Sequence, residues 1–277
     1  VSRFQTADCP PASKEAVRNT IDMITSSKNI VFMYGRMSAQ MEDWDRRLKL
    51  AELSGAGVIT DLKNRVVFPT NHDLHVGAPS NWVGPEGQEE LMTADAVVVF
   101  DWVDLAGSLK PLAPQGGVNG KIINCTLDSY AHNGWSADHF GLAPADLNIL
   151  ADPDIFVEQL LSELEEKLSG QSKWNGAPKK KAVSPAREKK ETDSLIAPRD
   201  IAYALAEARG SRKLTLTRVP LGWASDAWQF EHPLDYMGND GGGGLGCGPG
   251  SAIGVGLALL ESERVPVAIL GDGDFMQ

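Results

Sequence analysis

Glycines crowd residues 241–254 (GGGGLGCGPGSAIG), which lead directly into a sequence of small apolar residues that predicts a helix over about 251–260. Where side chains are absent, the free N–H groups at the start of such a helix can approach an anion closely, which favours phosphate binding. Gly241, Gly243 and Gly246 also fit G-x-G-x-x-G, but no clear strand precedes them, as a dinucleotide site requires. The phosphate-binding Walker pattern is also excluded, because no Gly-Lys-Ser/Thr occurs in the sequence. We therefore predict a phosphate cradle, with a loop that serves tight packing alone as the alternative.

The second chemical feature is residues 265–277 (VPVAILGDGDFMQ), in which a predicted buried strand over 265–270 delivers Gly271, Asp272, Gly273 and Asp274 to its carboxyl end. Ligands of open α/β sheets bind outside that edge. An aspartate between glycines can give one oxygen to Mg²⁺ while neighbouring amides meet the phosphates that the cation bridges. An ordinary β-turn is the alternative, because Asp-Gly is common in turns.

Both features need a scaffold, and the chain alternates short apolar runs with helical patterns throughout. Strands are predicted at 29–34, 57–60, 96–100, 121–125, 147–150, 214–218 and 265–270, and helices at about 12–24, 40–53, 153–168, 198–208 and 251–260. Continuous apolar runs between helices indicate parallel strands that are covered on both faces. The predicted fold class is therefore α/β, with two doubly wound parallel-sheet units.

Length and local composition divide the chain. At roughly 150 residues per domain, 277 residues predict about two domains. Residues 169–194 are polar and basic and contain two prolines, so we interpret them as a solvated tether, with a specific binding patch as the alternative. The predicted domains are then 1–168 and 195–277.

Charge and composition exclude several classes of protein. The formal net charge is −11, which argues against nucleic acid as a partner because phosphate binding needs basic surface. No apolar run reaches 18 residues, so we predict no membrane segment. Three widely spaced cysteines imply neither a disulfide framework nor a zinc site, and we expect a reduced, cytoplasmic compartment.

Taken together, the glycine-rich segment, the small-residue helix, the turn with Arg264, the buried strand and Gly271–Phe275 resemble thiamine diphosphate-dependent enzymes of the acetolactate synthase and benzoylformate decarboxylase superfamily. Residues 1–168 are similar to the central domain of that family. Residues 195–277 are similar to the first half of its diphosphate-binding domain, so we expect the chain to be a piece of a longer protein.

The resemblance implies roles for particular residues. Asp272 matches the magnesium-binding aspartate, and Leu245 matches the apolar residue that supports the bent cofactor. Ser225 lies roughly where relatives place a side chain on the diphosphate. The remaining expected cofactor-binding residues are Gly244, Gly246, Gly271, Gly273, Asp274 and Phe275. Residues 248–252 (GPGSA) depart from the Gly-Leu-Pro-Ala-Ala of many relatives, which leaves the subfamily open.

The resemblance also implies an activity. Such enzymes decarboxylate 2-oxo acids, ligate the resulting enamine to a carbonyl acceptor, or do both, using thiamine diphosphate and Mg²⁺. Their activating glutamate lies in a domain outside this sequence, commonly supplied by a second subunit. We therefore expect a homodimer or tetramer with an interfacial active site, no catalytic residue in this chain, and little activity from residues 1–277 alone.

The central domain of acetolactate synthases holds FAD. Here residues 35–38 (GRMS) occupy a strand-end loop that could touch a flavin, but the glycine run expected there is missing. We expect that the flavin has been lost, as in the decarboxylase branch, with retained FAD as the alternative. Two other functions stay open: a Rossmann-type nucleotide-binding protein centred on Gly241–Gly246, and a non-catalytic regulatory subunit.

Several further residues could suggest chemistry but favour structural roles. His72 and His75 have a metal-like spacing without a third ligand nearby, and Cys247 has no histidine to activate it. Three aromatic residues near the glycines favour packing over a substrate pocket, and three aspartates read as surface or strand-end acids. They are Trp223, Trp228, Phe230, Asp101, Asp104 and Asp128.

Overall fold

The computed structural model describes residues 8–129, 141–182, 195–239 and 245–277. They form two α/β units, a larger one with five parallel strands and a smaller one with two. The predicted α/β class with parallel sheets is confirmed. None of the described helices is long and apolar enough to cross a bilayer.

The larger unit contains a parallel sheet of order β2-β1-β3-β4-β5. Its strands are β1 (Ile30–Tyr34), β2 (Gly57–Thr60), β3 (Ala96–Phe100), β4 (Lys121–Thr126) and β5 (Leu147–Leu150). Its helices are α1 (Lys14–Ser26), α2 (Met41–Ser54), α3 (Pro85–Thr93), α4 (Leu105–Leu109) and α5 (Pro153–Lys167), with a 3-10 helix at Lys110–Gln115. The strands match the sequence prediction closely, whereas α3, α4 and the 3-10 helix were not predicted.

The sheet is buried on both faces because its central strands are apolar at every position. Phe32 and Val98 face the cluster that α1, α2 and α5 cover, while Val31 and Val97 face the cluster under α3 and α4. This alternation is the reason that the strands read as continuous apolar runs. The central strands β1 and β3 therefore lie in the middle of a three-layer core, whereas β5 is a partly exposed edge strand.

Arg47 of α2 is a fully buried cation inside this core. Its Nη1 lies 2.6 Å from Oδ1 of Asp154, and Nε and Nη2 donate to the carbonyl oxygens of Val67 and Ser38 at 2.9 and 3.0 Å. Asp154 in turn accepts from the Ser38 amide. The pair therefore joins α2, the start of α5 and the loop after β1.

Residues 171–182, here called the strap, lie against the larger unit. More than half of these residues are exposed, as a solvated tether would be, but the stretch also makes contacts that the sequence did not predict. Lys173 donates from Nζ to the carbonyl oxygens of Ile24 and Ser27 at 2.6 and 2.8 Å, which satisfies the end of α1. Trp174 contacts His72, with ring centroids 5.5 Å apart.

The strap continues along the loop after β2 and along α3. The Lys179 amide donates to the Asp73 carbonyl at 2.7 Å, and the Gly77 amide donates to the Lys180 carbonyl at 2.8 Å. Nζ of Lys179 lies 2.6 Å from Oε1 of Glu90. Lysines of the strap, whose charge suggested a solvated chain, therefore contact carbonyl oxygens and a carboxylate of the larger unit.

The smaller unit contains β6 (Lys213–Arg218) paired in parallel with β7 (Arg264–Ala268), together with α6 (Pro198–Arg209), α7 (Cys247–Ala258) and α8 (Asp272–Met276). A short 3-10 helix spans Ser225–Ala227. One apolar cluster includes Trp223, Trp228 and Tyr236 from this unit and Trp44 and Leu62 from the larger unit. The two units therefore share a core.

His75 gives the fold a predicted pH dependence. The ring is fully buried and hydrogen-bonded through Nε2 to Thr60 at 2.9 Å. Burial lowers the pKa of His75 to about 3, with Lys181 and His72 adding repulsion. In the unfolded chain the ring binds a proton near pH 6.5, whereas the folded protein keeps it neutral down to about pH 3. The folded state is therefore fully stable with respect to this group above pH 6.5 and loses stability as the pH falls from 6.5 toward 3.

We expect the free energy of unfolding to fall by about 2 kcal/mol through this group between pH 7 and pH 5. Urea titrations at both pH values measure the change. In His75→Gln most of that pH-dependent loss should disappear, whereas the His72→Gln control should retain it. Equal pH dependence in the wild type and His75→Gln would contradict the prediction.

Candidate functional site

The two segments that sequence analysis singled out meet at one place in the smaller unit. Asp274, in the short helix after β7, accepts through Oδ1 from the amide of Gly246 at 2.8 Å and from that of Gly248 at 3.4 Å. Gly246 is the N-cap of α7 and Gly248 lies in its first turn. The carboxyl end of β7 and the start of α7 therefore form a single junction.

Two glycines are required at this junction for different reasons. Gly246 has φ of +89°, a left-handed conformation that favours glycine, and a Cβ there would lie 3.0 Å from the Gln277 carbonyl carbon. A Cβ on Gly248 would lie 2.3 Å from Oδ2 of Asp274 and 2.6 Å from Leu270. The start of α7 can approach the segment after β7 this closely only because Gly246 and Gly248 have no side chains.

Asp274 is also paired with a cation from the neighbouring strand. Its Oδ2 lies 3.3 Å from Nε of Arg218, the last residue of β6, and the two side chains are only 9% and 14% exposed. Sequence analysis did not single out Arg218. The sequence did contain an indication of its role. Arg218 lies at the carboxyl end of a predicted strand, and the neighbouring predicted strand is followed by two aspartates.

Asp272 has the opposite environment. Its side chain is exposed, and Oδ1 accepts from the amide of Gly273 at 2.9 Å. It lies at one end of an open groove of about 620 Å³ whose walls include Ile253, Leu270 and Phe275. The groove thus combines an apolar lining with one accessible carboxylate.

The other predicted cofactor-binding residues are placed as follows. Leu245 and Phe275 are 62% and 66% exposed beside the junction, and Gly271 caps α8. Gly244 and the glycines before it lie outside the described residues. The Ser225 hydroxyl donates to the Pro79 carbonyl oxygen of the larger unit, and no hydrogen bond of the described residues joins it to the glycine turn. Its role toward a diphosphate stays a prediction.

The residues that favoured structural roles are packed or paired. Trp223, Trp228 and Phe230 are buried in the shared core, which confirms the preference for packing. His72 lies 3.2 Å from Glu52 through Nε2, while Cys247 is exposed at the start of α7. Within the part of the chain that the structure describes, no three His, Cys, Asp or Glu side chains could together hold a metal ion.

Strand order in the larger unit reverses between β1 and β3, where open α/β sheets commonly bind ligands. Arg36 lies across this point, and its Nε and Nη2 donate to the two carboxylate oxygens of Asp101 at 2.9 Å each. Arg36 also pairs with Asp128. Asp101 follows β3 directly and is a strand-end acid, one of the two predicted positions; it is buried and has φ of +51°.

The end of the chain matches a known protein family. Residues 220–277 match the family described as thiamine pyrophosphate enzyme, C-terminal TPP binding domain. The matched segment includes β7, the junction and Asp272.

Comparison with curated proteins extends the similarity over the chain. Acetolactate synthase from Mycobacterium bovis is 25% identical over 279 residues, covering 96% of this chain and 42% of the relative. Acetolactate synthase from Mycobacterium avium is 24% identical over 276 residues with the same coverage. The chain thus spans less than half the length of these relatives.

Solved structures show the same fold. Benzoylformate decarboxylase from Polynucleobacter necessarius aligns with a TM-score of 0.71 at 22% identity, covering 99% of this chain and 50% of that one. A thiamine diphosphate-dependent 4-hydroxybenzoylformate decarboxylase from Rhodococcus jostii aligns with a TM-score of 0.65 at 18% identity, covering 98% and 48%. The resemblance to thiamine diphosphate-dependent enzymes of this superfamily is confirmed.

Proposed function

We propose that this chain is part of a thiamine diphosphate- and Mg²⁺-dependent enzyme that decarboxylates 2-oxo acids and ligates the product to a carbonyl acceptor, in the manner of acetolactate synthase. The observation that carries the proposal is the junction between the start of α7 and the tip of β7, where Gly246 and Gly248 turn their amides toward a carboxylate oxygen. These contacts indicate that the backbone at the start of α7 favours anionic oxygen atoms, as a site for a diphosphate requires.

The residues at the junction fit such a cofactor. Asp272 is an exposed carboxylate at the end of a parallel strand, which suits a Mg²⁺ ion that a diphosphate also coordinates. Gly271 and Gly273 leave the adjacent backbone open, and Leu245 and Phe275 offer apolar surface to the cofactor rings. Bound thiamine diphosphate would supply the electron sink for decarboxylation. The chain itself would bind, orient and neutralise charge.

The complete site would need more than these residues. We propose domains at 1–168 and 195–277, joined through 169–194, within a cytoplasmic homodimer or tetramer whose active site lies between subunits. The activating glutamate would come from a domain outside this sequence. The substrate would be a 2-oxo acid, with neither nucleic acid nor membrane as a partner. Simple decarboxylation, as in benzoylformate decarboxylase, is the second candidate and is favoured by the similarity of the fold.

The larger unit does not fit a flavin at its switch point. A Cβ on Gly35 would lie 2.2 Å from the Asp101 carbonyl oxygen, so the backbones there are already in close contact. The Arg36 guanidinium beside them is held by the carboxylates of Asp101 and Asp128. A dinucleotide at this point would have to displace the half-exposed Arg36 from both carboxylates. We therefore propose that FAD is absent from this protein.

Titration of the full-length protein with thiamine diphosphate, followed by calorimetry, tests the proposal. We expect Mg²⁺ to tighten binding at least about tenfold, since it neutralises charge between Asp272 and the diphosphate. Asp272→Ala should remove most of that gain, whereas Asp226→Ala, away from the junction, should leave it. Binding that is insensitive to both Mg²⁺ and Asp272→Ala would exclude the proposed function.

A further inference from the structure

We propose that Arg218 and Asp274 form a positioning pair that shapes the start of α7 and cancels the charge of Asp274, leaving Asp272 as the sole metal-binding aspartate of the Gly-Asp-Gly-Asp segment. This inference rests on the proposed function. It assigns Asp274 to the protein's own backbone instead of to the diphosphate or the cation.

The contacts of Asp274 support this assignment. One oxygen accepts from the amides of Gly246 and Gly248, and the other faces Nε of Arg218. Both oxygens are therefore occupied by the chain, and the side chain is buried. A buried carboxylate with a cation already beside it is poorly placed to bind a second cation, whereas the exposed carboxylate of Asp272, two residues earlier, accepts one hydrogen bond from its neighbour.

The position of Arg218 explains why a second aspartate can be tolerated here. An unpaired buried carboxylate next to the amides of a phosphate cradle would repel the anion that the cradle must bind. Arg218 places a positive charge beside that carboxylate from the end of β6, so the pair is electrically neutral. A diphosphate bound nearby would then meet no net negative charge from Asp274.

The pair also links three elements that must keep a fixed geometry. Arg218 ends β6, Gly246 precedes α7, and Asp274 follows β7. A side chain that spans all three sets the distance between the glycine turn and the metal-binding tip. Its effect on the reaction is therefore indirect, through the shape and charge of the cradle.

A double-mutant cycle in the full-length protein tests the pair, with thiamine diphosphate affinity in Mg²⁺ and the thermal midpoint as readouts. Arg218→Met should weaken affinity about tenfold or more, because it exposes the cradle to an uncompensated carboxylate. Asp274→Asn keeps an oxygen for the Gly246 amide and should change affinity less than about threefold. The double variant should bind nearly as well as Asp274→Asn, so that removing the second charge rescues the first loss. Arg212→Met, an exposed arginine elsewhere, serves as the control.

Rescue by the second substitution is the expected result, because two residues that act independently predict further loss in the double variant. Additive losses in affinity would overturn the proposal, as would loss of the Mg²⁺ effect in Asp274→Asn, which would make Asp274 a metal ligand. If wild type fails to bind the cofactor with Mg²⁺, the proposed function fails. The pair is then judged by the thermal midpoints, where additive losses again overturn it and rescue supports it.

Discussion

Replacing Arg47 with methionine is expected to lower the free energy of unfolding by about 3–5 kcal/mol, because breaking a buried ion pair leaves an uncompensated charge. Arg47 is fully buried and contacts Asp154 and the carbonyl oxygens of Val67 and Ser38. Burial already raises the pKa of Asp154, and the guanidinium is its main compensation. Methionine fills much of the volume but offers no charge or donor.

Urea unfolding of the full-length protein, followed by near-ultraviolet circular dichroism, measures this loss. The neighbouring residue provides a matched control, since Arg46 pairs with Glu42 and Asp43 on the surface of the same helix. Arg46→Met should cost less than about 1 kcal/mol. Similar losses in the two variants would show that burial of the Arg47 pair is not what stabilises the joint between α2 and α5.

Replacing Gly248 with alanine is expected to weaken thiamine diphosphate binding about a hundredfold, because small displacements at an organised site have large effects. The new methyl group would lie 2.3 Å from Oδ2 of Asp274. That carboxylate cannot simply rotate away, since it is held by the Gly246 amide and by Arg218. The clash therefore displaces both the turn and the tip of β7.

Calorimetric titration of Gly248→Ala against Gly250→Ala measures this effect with the same chemical change in the same helix. A Cβ on Gly250 has nothing within 4 Å, so alanine there should preserve affinity and stabilise α7 slightly. Equal affinities in the two variants would contradict the close approach at Gly248.

The sequence predicted the strands well because each of the central ones is buried on both faces and needs apolar residues throughout, as in β1 and β3. It missed α3, which begins with Gly84 as an N-cap without a side chain and buries only Gly87 and Leu91. It also did not predict the contacts of the strap with the larger unit. Composition describes lysines such as Lys173 as solvated, whereas their contacts depend on carbonyl oxygens that only the folded unit brings together.

The sequence predicted which segments form the site but not the hydrogen bonds and the ion pair that connect them. Parallel strands bring their carboxyl ends to one edge, so the convergence of the glycine turn with residues 271–275 could be expected. The distinction between Asp272 and Asp274 could not, because both aspartates follow the same strand within the same short motif. It depends on Arg218, which is more than fifty positions away along the chain and adjacent only through the pairing of β6 with β7.

The strap has a mechanical consequence. Tension applied to the chain beyond residue 182 would first reach Lys181, Lys180 and Lys179, whose bonds to the larger unit lie side by side along the chain. Tension on the chain beyond residue 182 therefore meets the Lys179 and Lys173 contacts before it reaches the end of α5.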